Sequence, residues 1–161
     1  MFIKGSITAL VTPMNEKGDL DYDSLEKLIN YQINSGISGL VAVGTTGESA
    51  TIDFKDHIKL IEFFVKVNKG RVHIIAGTGA NSTEEALHLT KEAKSAGADA
   101  ALLVSPYYNK PPQEGIYYHH MKIADEVDIP QILYNVPSRT ASFIEPETVL
   151  RLSSHKNVVG I

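Results

Sequence analysis

Two short segments of the chain contain residue types that could bind and transform a small anion. GTTGES, from Gly44, places two threonine hydroxyls and backbone N–H groups at the predicted start of a helix, an arrangement that binds carboxylates or phosphates. YNVPSRT contains Tyr134, whose phenol can carry a proton, and Arg139, whose guanidinium can grip a carboxylate. The same residues also fit plain tight turns and a core tyrosine. Together they favour acid–base chemistry on a carboxylate-bearing substrate.

Several other chemistries lack their sequence requirements. The chain has no cysteine, no GxxxxGK[ST] phosphate loop and no GxSxG nucleophile turn, and GTGANS only half matches GxGxxG. His119 and His120 are adjacent on a predicted helix and point in different directions, so we expect a solvated helix face rather than a metal site. No metal and no nucleotide cofactor is predicted.

These segments follow short apolar runs that are typical of buried strands. The runs begin at Ser6 (SITALV), Gly39 (GLVAVG), Val72 (VHIIAG), Ala100 (AALLVS), Gln131 (QILYNV) and Asn157 (NVVGI). Apolar residues at helical spacing lie between the runs, as in Leu25–Ile33 and Ile58–Val65. STEE at Ser82 predicts a helix-capping box, and Gly97 is the predicted end of the same helix.

Strand and helix alternate along the whole chain, which predicts an α/β fold with a parallel sheet of six strands and five helices. GTTGESAT and GTGANST each follow a strand and lie one βα unit apart. Six such strands could form a doubly wound domain or most of a (β/α)8 TIM barrel, and periodicity leaves both open. In either fold the ligand lies at the carboxyl ends of the strands, where both polar segments occur.

The segments GTTGES, GTGANST, SPYYNKPPQEG, YNVPSRT and NVVGI, in this order and spacing, resemble the dihydrodipicolinate synthase (4-hydroxy-tetrahydrodipicolinate synthase) family. The resemblance covers the whole chain and implies a (β/α)8 barrel, of which residues 1–161 are the N-terminal part of a single domain. The implied reaction is a lyase-type condensation of pyruvate with L-aspartate 4-semialdehyde on the route to diaminopimelate and lysine. A sister pyruvate-dependent aldolase, such as N-acetylneuraminate lyase, is the alternative, although it differs around the arginine. A non-catalytic fragment is the third possibility.

The family's Schiff-base lysine follows the sequence VGI, so it is expected directly after Ile161. No other cofactor is implied, because pyruvate would be held covalently by that lysine. None of the lysines within the chain lies in a predicted buried strand, where desolvation would make an amine nucleophilic. Either the chain is a fragment, or it continues with a lysine that carries bound pyruvate.

The resemblance also implies roles for residues of this chain. Thr45 and Thr46 would bind the pyruvate carboxylate, and Arg139 would hold the carboxylate of the semialdehyde. Thr46 and Tyr134 would form a proton relay with Tyr108 of a neighbouring subunit, which implies a homo-oligomer, expected to be a dimer of dimers.

Many family members are inhibited by L-lysine at an interface between subunits. The matching positions are Ser49, Ala50, His57, Asn81, Glu85 and Tyr107. Phe54 departs from the histidine that strongly inhibited Gram-negative members often carry, so the resemblance leaves lysine sensitivity open.

The composition limits the partners and the compartment. The net charge is -4 and the charges are scattered, which disfavours nucleic acid. The apolar run in MFIKGSITALVTP is too short and too interrupted to be expected to act as a signal peptide, and no apolar stretch reaches membrane-spanning length. A cytoplasmic, soluble protein is therefore expected.

Overall fold

The computed structural model describes residues 3–161, which form one six-stranded, wholly parallel sheet with helical connections. Met1 and Phe2, at the start of the N-terminal stretch, lie outside the described residues. The strands are β1 (Ile7–Ala9), β2 (Gly39–Ala42), β3 (His73–Gly77), β4 (Ala100–Val104), β5 (Gln131–Tyr134) and β6 (Val158–Gly160). Each of the six apolar runs therefore contains a strand.

The helices lie between the strands, as their apolar spacing predicts. They are α1 (Tyr22–Asn34), α2 (Phe54–Asn68), α3 (Thr83–Ala96), α4 (Gln113–Glu126), α5 (Pro137–Thr140) and α6 (Pro146–Leu152). The expected count of five is wrong, because the last connection contains two helices. Ala141 adopts a positive φ of 53° and ends the single turn of α5, and Pro146 starts α6 at a position where a proline fits.

The order of the strands decides between the two predicted architectures. Neighbours in the sheet are neighbours in the sequence, from β1 through to β6. A doubly wound sheet reverses its strand order at a switch point, whereas a (β/α)8 barrel adds each strand beside the previous one. The chain therefore has the topology of six consecutive barrel units.

The two faces of the sheet pack differently. Leu40, Ile74 and other outward-facing strand residues join the main core with side chains from α1 and α2. On the opposite face Val41 and Ile75 pack with inward-facing residues of neighbouring strands. The prediction that the strands are covered on both faces holds for β2 and β3 but is wrong for β6, where the side chain of Val159 is 49% exposed.

The ends of α3 agree with its capping sequence. Ser82 is the N-cap, and its hydroxyl accepts a hydrogen bond from the Glu85 N–H at 3.4 Å. Gly97 ends the helix with a φ of +94°, a conformation that glycine adopts at little cost. The Glu85 carboxylate makes no return bond to Ser82; it lines a cavity described below.

The expectation of a solvated face for His119 and His120 is wrong. His119 is 5% exposed and His120 is fully buried, so both of these consecutive residues of α4 are shielded from solvent. The Thr83 hydroxyl lies 2.8 Å from Nδ1 of His119, while both ring nitrogens of His120 lack a hydrogen-bond partner. Burial lowers the pKa of His119 to about 4 and that of His120 to about 3.

Within residues 3–161, no helix is both long enough and apolar enough to cross a bilayer. The same residues contain no group of three or more histidine, aspartate and glutamate side chains arranged to hold a metal ion.

Candidate active site

The polar turns after β2, β3, β4 and β5 meet at one end of the sheet because parallel strands share a direction. Two glycines allow the close approach of these turns. A β-carbon on Gly77 would lie 2.3 Å from the Val43 carbonyl oxygen, and one on Gly79 would lie 2.3 Å from the Val104 nitrogen. The glycines of GTGANS therefore pack β3 against the ends of β2 and β4, in agreement with the structural alternative considered above.

The segment GTTGES forms a turn of 3-10 helix over Thr45–Gly47. The N–H groups of Gly47 and Ser49 bond to the Gly44 carbonyl at 2.9 and 3.3 Å. The N–H groups of Thr45 and Thr46 open this turn, and the first N–H groups of a helical turn have no acceptor within it. Both threonines are exposed, which leaves these donors and the hydroxyls open to an anion.

Two cavities lie side by side over this turn. The wider one has a volume of about 270 Å³ and is lined in part by Thr45, Tyr107 and Arg139. The narrower one has a volume of about 10 Å³ and is lined in part by Thr45, Gly77 and Tyr134. Because Thr45 lines both, it stands between the tyrosine and the arginine that the sequence analysis singled out.

The positions of Tyr134 and Arg139 follow from β5 and α5. Tyr134 is the last residue of β5 and is half-buried on the same face as Ile132, as the alternation of the strand predicts. Arg139 is an exposed residue in the single turn of α5, which begins at Pro137. Strand and turn together direct one phenol and one guanidinium to adjoining cavities.

Thr46 and Tyr108 are not part of these cavities. Thr46 makes no hydrogen bond to Tyr134, so the predicted relay is not assembled within this chain. Tyr108 is 89% exposed, at the tip of the loop after β4, with a positive φ of 73°. A bulky residue with positive φ is uncommon, so this loop holds Tyr108 in a backbone conformation that few tyrosines adopt.

A third cavity of about 60 Å³ contains five of the six residues matched to the lysine-inhibition site. The five are Ser49, Ala50, His57, Glu85 and Tyr107. Asn81 does not line this cavity; its carbonyl oxygen instead accepts a hydrogen bond from the Asn109 side chain at 3.3 Å. Phe54 lines the cavity and packs edge-on against His88, with ring centroids 5.0 Å apart.

Burial changes the ionisation of two groups in this third cavity. His57 Nε2 lies 2.7 Å from the Gly77 carbonyl oxygen, which only accepts hydrogen bonds, so this nitrogen carries the proton. Burial lowers the pKa of His57, and the bond to Gly77 partly opposes that shift. Burial and the nearby Glu85 carboxylate raise the pKa of Tyr107. Neutral forms of both side chains are therefore favoured at neutral pH.

Several residues that line the wide cavity were not predicted from the sequence. They include Glu48, Thr51 and Thr140. Glu48 stands within GTTGES and has a positive φ of 61°, so the motif itself could have indicated it. Thr51 ends GTTGESAT and Thr140 ends YNVPSRT, so these two segments also contained them, although neither residue was assigned a role.

The fold and the site define a class of protein: a parallel β/α protein with sequential, barrel-type strand order and a polar cavity at the carboxyl ends of its strands. The model of the dihydrodipicolinate synthetase family matches residues 2–161. The chain therefore belongs to this family.

Named relatives and solved structures agree with this assignment. The chain is 60% identical over 159 residues to a 4-hydroxy-tetrahydrodipicolinate synthase of Pseudomonas putida, covering 99% of this chain and 54% of the relative. A crystal structure of the chloride-inhibited dihydrodipicolinate synthase of Acinetobacter baumannii complexed with pyruvate matches 99% of this chain and 55% of its own chain, with 54% identity and a TM-score of 0.98. The enzyme of Cyanidioschyzon merolae with lysine bound covers 98% of this chain and 54% of its own, at 40% identity and a TM-score of 0.94.

The chain spans about half the length of the curated relatives it matches. Since the solved relatives are TIM-barrel proteins, the six strands are those of a (β/α)8 barrel, as the resemblance implied.

Proposed function

We propose that the protein carrying this chain condenses pyruvate with L-aspartate 4-semialdehyde to 4-hydroxy-tetrahydrodipicolinate, in the biosynthesis of diaminopimelate and lysine. Residues 1–161 supply the N-terminal part of its single barrel domain. One observation carries the proposal: Thr45 lines both the narrow cavity beside Tyr134 and the wide cavity beside Arg139. The second carboxylate would meet the arginine in the wide cavity, and the keto acid would lie over Thr45 on the side of Tyr134. The narrow cavity of about 10 Å³ holds no more than a water molecule and would have to widen.

The register of β6 supports a Schiff-base lysine directly after Ile161. Ile132 of β5 pairs with Gly160 of β6. If the strands continue in parallel, the residue after Ile161 lies opposite Tyr134. An amine there would face the barrel interior, where desolvation keeps it neutral enough to attack a ketone. No other cofactor is proposed.

The residues of this chain would bind, orient and relay protons. The N–H and hydroxyl groups of Thr45 and Thr46 would hold the pyruvate carboxylate. Thr46 would meet Tyr134 after a local adjustment, and the Tyr134 phenol would pass protons during formation of the Schiff base. Arg139 would hold the second substrate by its carboxylate at the mouth of the wide cavity.

A homo-oligomer is part of the proposal, and its expected form is a dimer of dimers. Tyr108 projects into solvent from a loop that also donates a hydrogen bond from its backbone to the Thr140 carbonyl at 3.4 Å. A ring that is 89% exposed is poorly placed to serve its own subunit and well placed to enter the site of a second copy. A cytoplasmic location is proposed with it, in agreement with the absence of cysteine.

L-Lysine is the proposed inhibitor of this enzyme, bound in the third cavity. The Glu85 carboxylate would pair with a ligand ammonium, and His57 and Tyr107 would contribute polar contacts. Phe54 offers only an aromatic ring where a polar group could stand, so we expect weak inhibition. This cavity and the wide cavity share Ser49, Ala50 and Tyr107, which gives a direct physical link between them.

Trapping with borohydride tests the proposed chemistry. The gene product at its natural length is treated with pyruvate and borohydride, and acetate replaces pyruvate in the control, because acetate has no ketone. We expect one reduced adduct per subunit, located by peptide mass spectrometry on a lysine directly after Ile161. No adduct, or an adduct on Lys110 or another lysine of residues 1–161, would contradict the mechanism.

A further inference from the structure

The chain from Thr140 to Thr148, here called the strap, carries a dense set of hydrogen bonds that no step above uses. It directly follows Arg139 and joins α5 to α6. A single helical turn such as α5 has little stability of its own, because helix nucleation is unfavourable. The position of Arg139 therefore depends on what holds the two ends of this turn. Its first end is fixed by β5, and the strap must fix the other.

Asn135 holds the strap from the side of β5. Its side-chain nitrogen donates to the Ile144 carbonyl at 3.1 Å, and its oxygen accepts from the Ile144 N–H at 3.1 Å. One side chain thus satisfies both backbone groups of a residue nine positions along the chain, as a neighbouring strand would. Ile144 is itself 1% exposed, so this point of the strap is fixed by packing as well as by hydrogen bonds.

Gln113, the first residue of α4, holds the strap from the other side. Its nitrogen donates to the Phe143 carbonyl at 2.7 Å, and its oxygen accepts from the Glu145 N–H at 3.1 Å and from the Thr148 hydroxyl at 2.7 Å. Two amide side chains therefore clamp three consecutive residues, 143–145, from opposite directions.

The start of the strap is tied to the site by further bonds. The Thr140 hydroxyl donates to the Ser142 carbonyl at 2.7 Å, and the hydroxyls of Ser105 and Ser142 lie 3.2 Å apart in the buried interior. Ser105 begins the loop that carries Tyr108. The strap is thereby connected both to the turn of Arg139 and to the loop after β4.

We infer that Asn135 and Gln113 are positioning residues: they clamp the strap and so fix Arg139 at the wide cavity for the carboxylate of the second substrate. This inference rests on the proposed function for the identity of that substrate. It predicts that loss of either clamp weakens use of the second substrate and leaves pyruvate binding intact, because the pyruvate site is built on β2 and β5.

The chain offers a matched control. The Asn68 side chain donates to the Val72 carbonyl at 2.7 Å and accepts from the Val72 N–H at 3.1 Å. This is the same pair of bonds as at Asn135, but it lies before β3, at the opposite end of the strands. Asn68→Ala should therefore disturb stability in a similar way without reaching Arg139.

The test compares Asn135→Ala, Gln113→Ala and Asn68→Ala in the gene product at its natural length. For the two clamp variants we expect the KM for the semialdehyde to rise about tenfold and the KM for pyruvate to stay within about twofold. Asn68→Ala should change neither. In an Arg139→Ala background, adding Asn135→Ala should change the semialdehyde KM little further, since the clamp acts through the arginine. Gln113 lies near the surface, so Gln113→Ala is expected to fold. It therefore allows the test to be made even if Asn135→Ala does not fold.

Hydrogen exchange gives a readout that does not depend on catalysis. Backbone amides of the strap should exchange faster in both clamp variants, and in Asn68→Ala the increase should be confined to the surroundings of Val72. Equal rises in both KM values, or an undiminished effect without Arg139, would overturn the inference. If the protein has no activity on these substrates, the proposed function is wrong. Hydrogen exchange would then test the clamp alone, and unchanged exchange of the strap amides in the clamp variants would contradict it.

Discussion

Arg139 and Tyr134 are five positions apart in the chain but serve adjoining cavities, because one ends β5 and the other lies in the following turn. A guanidinium offers two parallel hydrogen bonds to a carboxylate, and a phenol offers one transferable proton. Substitution of Arg139 is therefore expected to weaken substrate binding, and substitution of Tyr134 is expected to slow proton transfer.

Arg139→Ala should raise the KM for aspartate semialdehyde by about thirtyfold to a thousandfold, because a lost bidentate contact costs about 2 to 4 kcal/mol. The KM for pyruvate should stay within about twofold. Steady-state kinetics with each substrate varied in turn measures both. Arg151→Ala is the control, since Arg151 pairs with Glu114 on the outer surface. Equal weakening of both substrates would exclude the assigned role.

Tyr134→Phe keeps the ring and its packing but removes the hydroxyl. Turnover should fall by about a hundredfold or more if the phenol relays protons, while thermal unfolding remains unchanged. Tyr118→Phe, which alters an exposed tyrosine on α4, should leave turnover unaffected. Turnover within about twofold of the parent would make Tyr134 a packing residue only.

Among the helices, α4 contains an unusual pair of buried titratable side chains. His119 and His120 lie edge to face, with ring centroids 5.0 Å apart, and three of their four ring nitrogens have no hydrogen-bond partner. A buried polar group without a partner costs about 1 to 3 kcal/mol. Replacing one of these imidazoles with an apolar ring of similar shape should therefore stabilise the fold.

His120→Phe should raise the free energy of unfolding by about 1 to 2 kcal/mol, because it keeps an aromatic ring of similar shape and removes the unpaired nitrogens. Urea unfolding at pH 7.5 measures the change. His88→Phe, at a histidine whose side chain is 58% exposed, should change stability by no more than about 0.5 kcal/mol. A destabilised His120→Phe variant would show that the imidazole has a partner in solution.

The same histidines predict the direction of the pH dependence. Burial lowers the pKa of His57, and it lowers those of His119 and His120 to about 4 and about 3, against an ordinary value of 6.5. Unfolding therefore takes up protons below pH 6.5, so stability must fall as the pH drops from 6.5 towards 4.5, by up to about 1.4 kcal/mol per pH unit for each histidine. Carboxylates with lowered pKa values, such as Glu126 with a pKa of about 2, change the stability mainly at lower pH, where they become protonated. In the His120→Phe variant, the free energy of unfolding should depend less steeply on pH between 6.5 and 4.5, because one of the buried histidines no longer contributes. Urea titrations at several pH values measure this dependence.

In the molecule as a whole, several large apolar and aromatic side chains near the candidate site are exposed. Val159 and Ile161, near the last edge of the sheet, are 49% and 61% exposed. Tyr108 is 89% exposed at the other side of the site. The exposure of Tyr108 agrees with the proposal that this residue enters the site of a second copy.

Subunit mixing tests the contribution of the second copy. Tyr108→Phe and Tyr134→Phe should each be nearly inactive alone. When both are co-expressed and the mixed oligomer is isolated, activity should return towards half of the parent value, because one of its two composite sites combines an intact Tyr134 with the partner subunit's intact Tyr108. Activity no greater than the sum of the separate variants would show that Tyr108 serves its own subunit.

The strands, the main helices and the location of the site were readable in the sequence because their causes are local. Short apolar runs predict β1 to β6, glycines and capping residues mark the helix ends, and parallel strands bring GTTGES and YNVPSRT to one edge. The family resemblance added the barrel, which the sequential strand order bears out.

Other features depend on contacts between segments that are distant in the chain. The burial of His119 and His120, the exclusion of Asn81 from the third cavity and the clamp of Asn135 and Gln113 on the strap have no periodic pattern. A side chain's local sequence sets where it points along its own helix or strand, but neighbouring elements decide whether water or protein meets it there. The residues of the candidate site could therefore be proposed from their types and order in the sequence, whereas the packing that holds them in place is decided only by the tertiary structure.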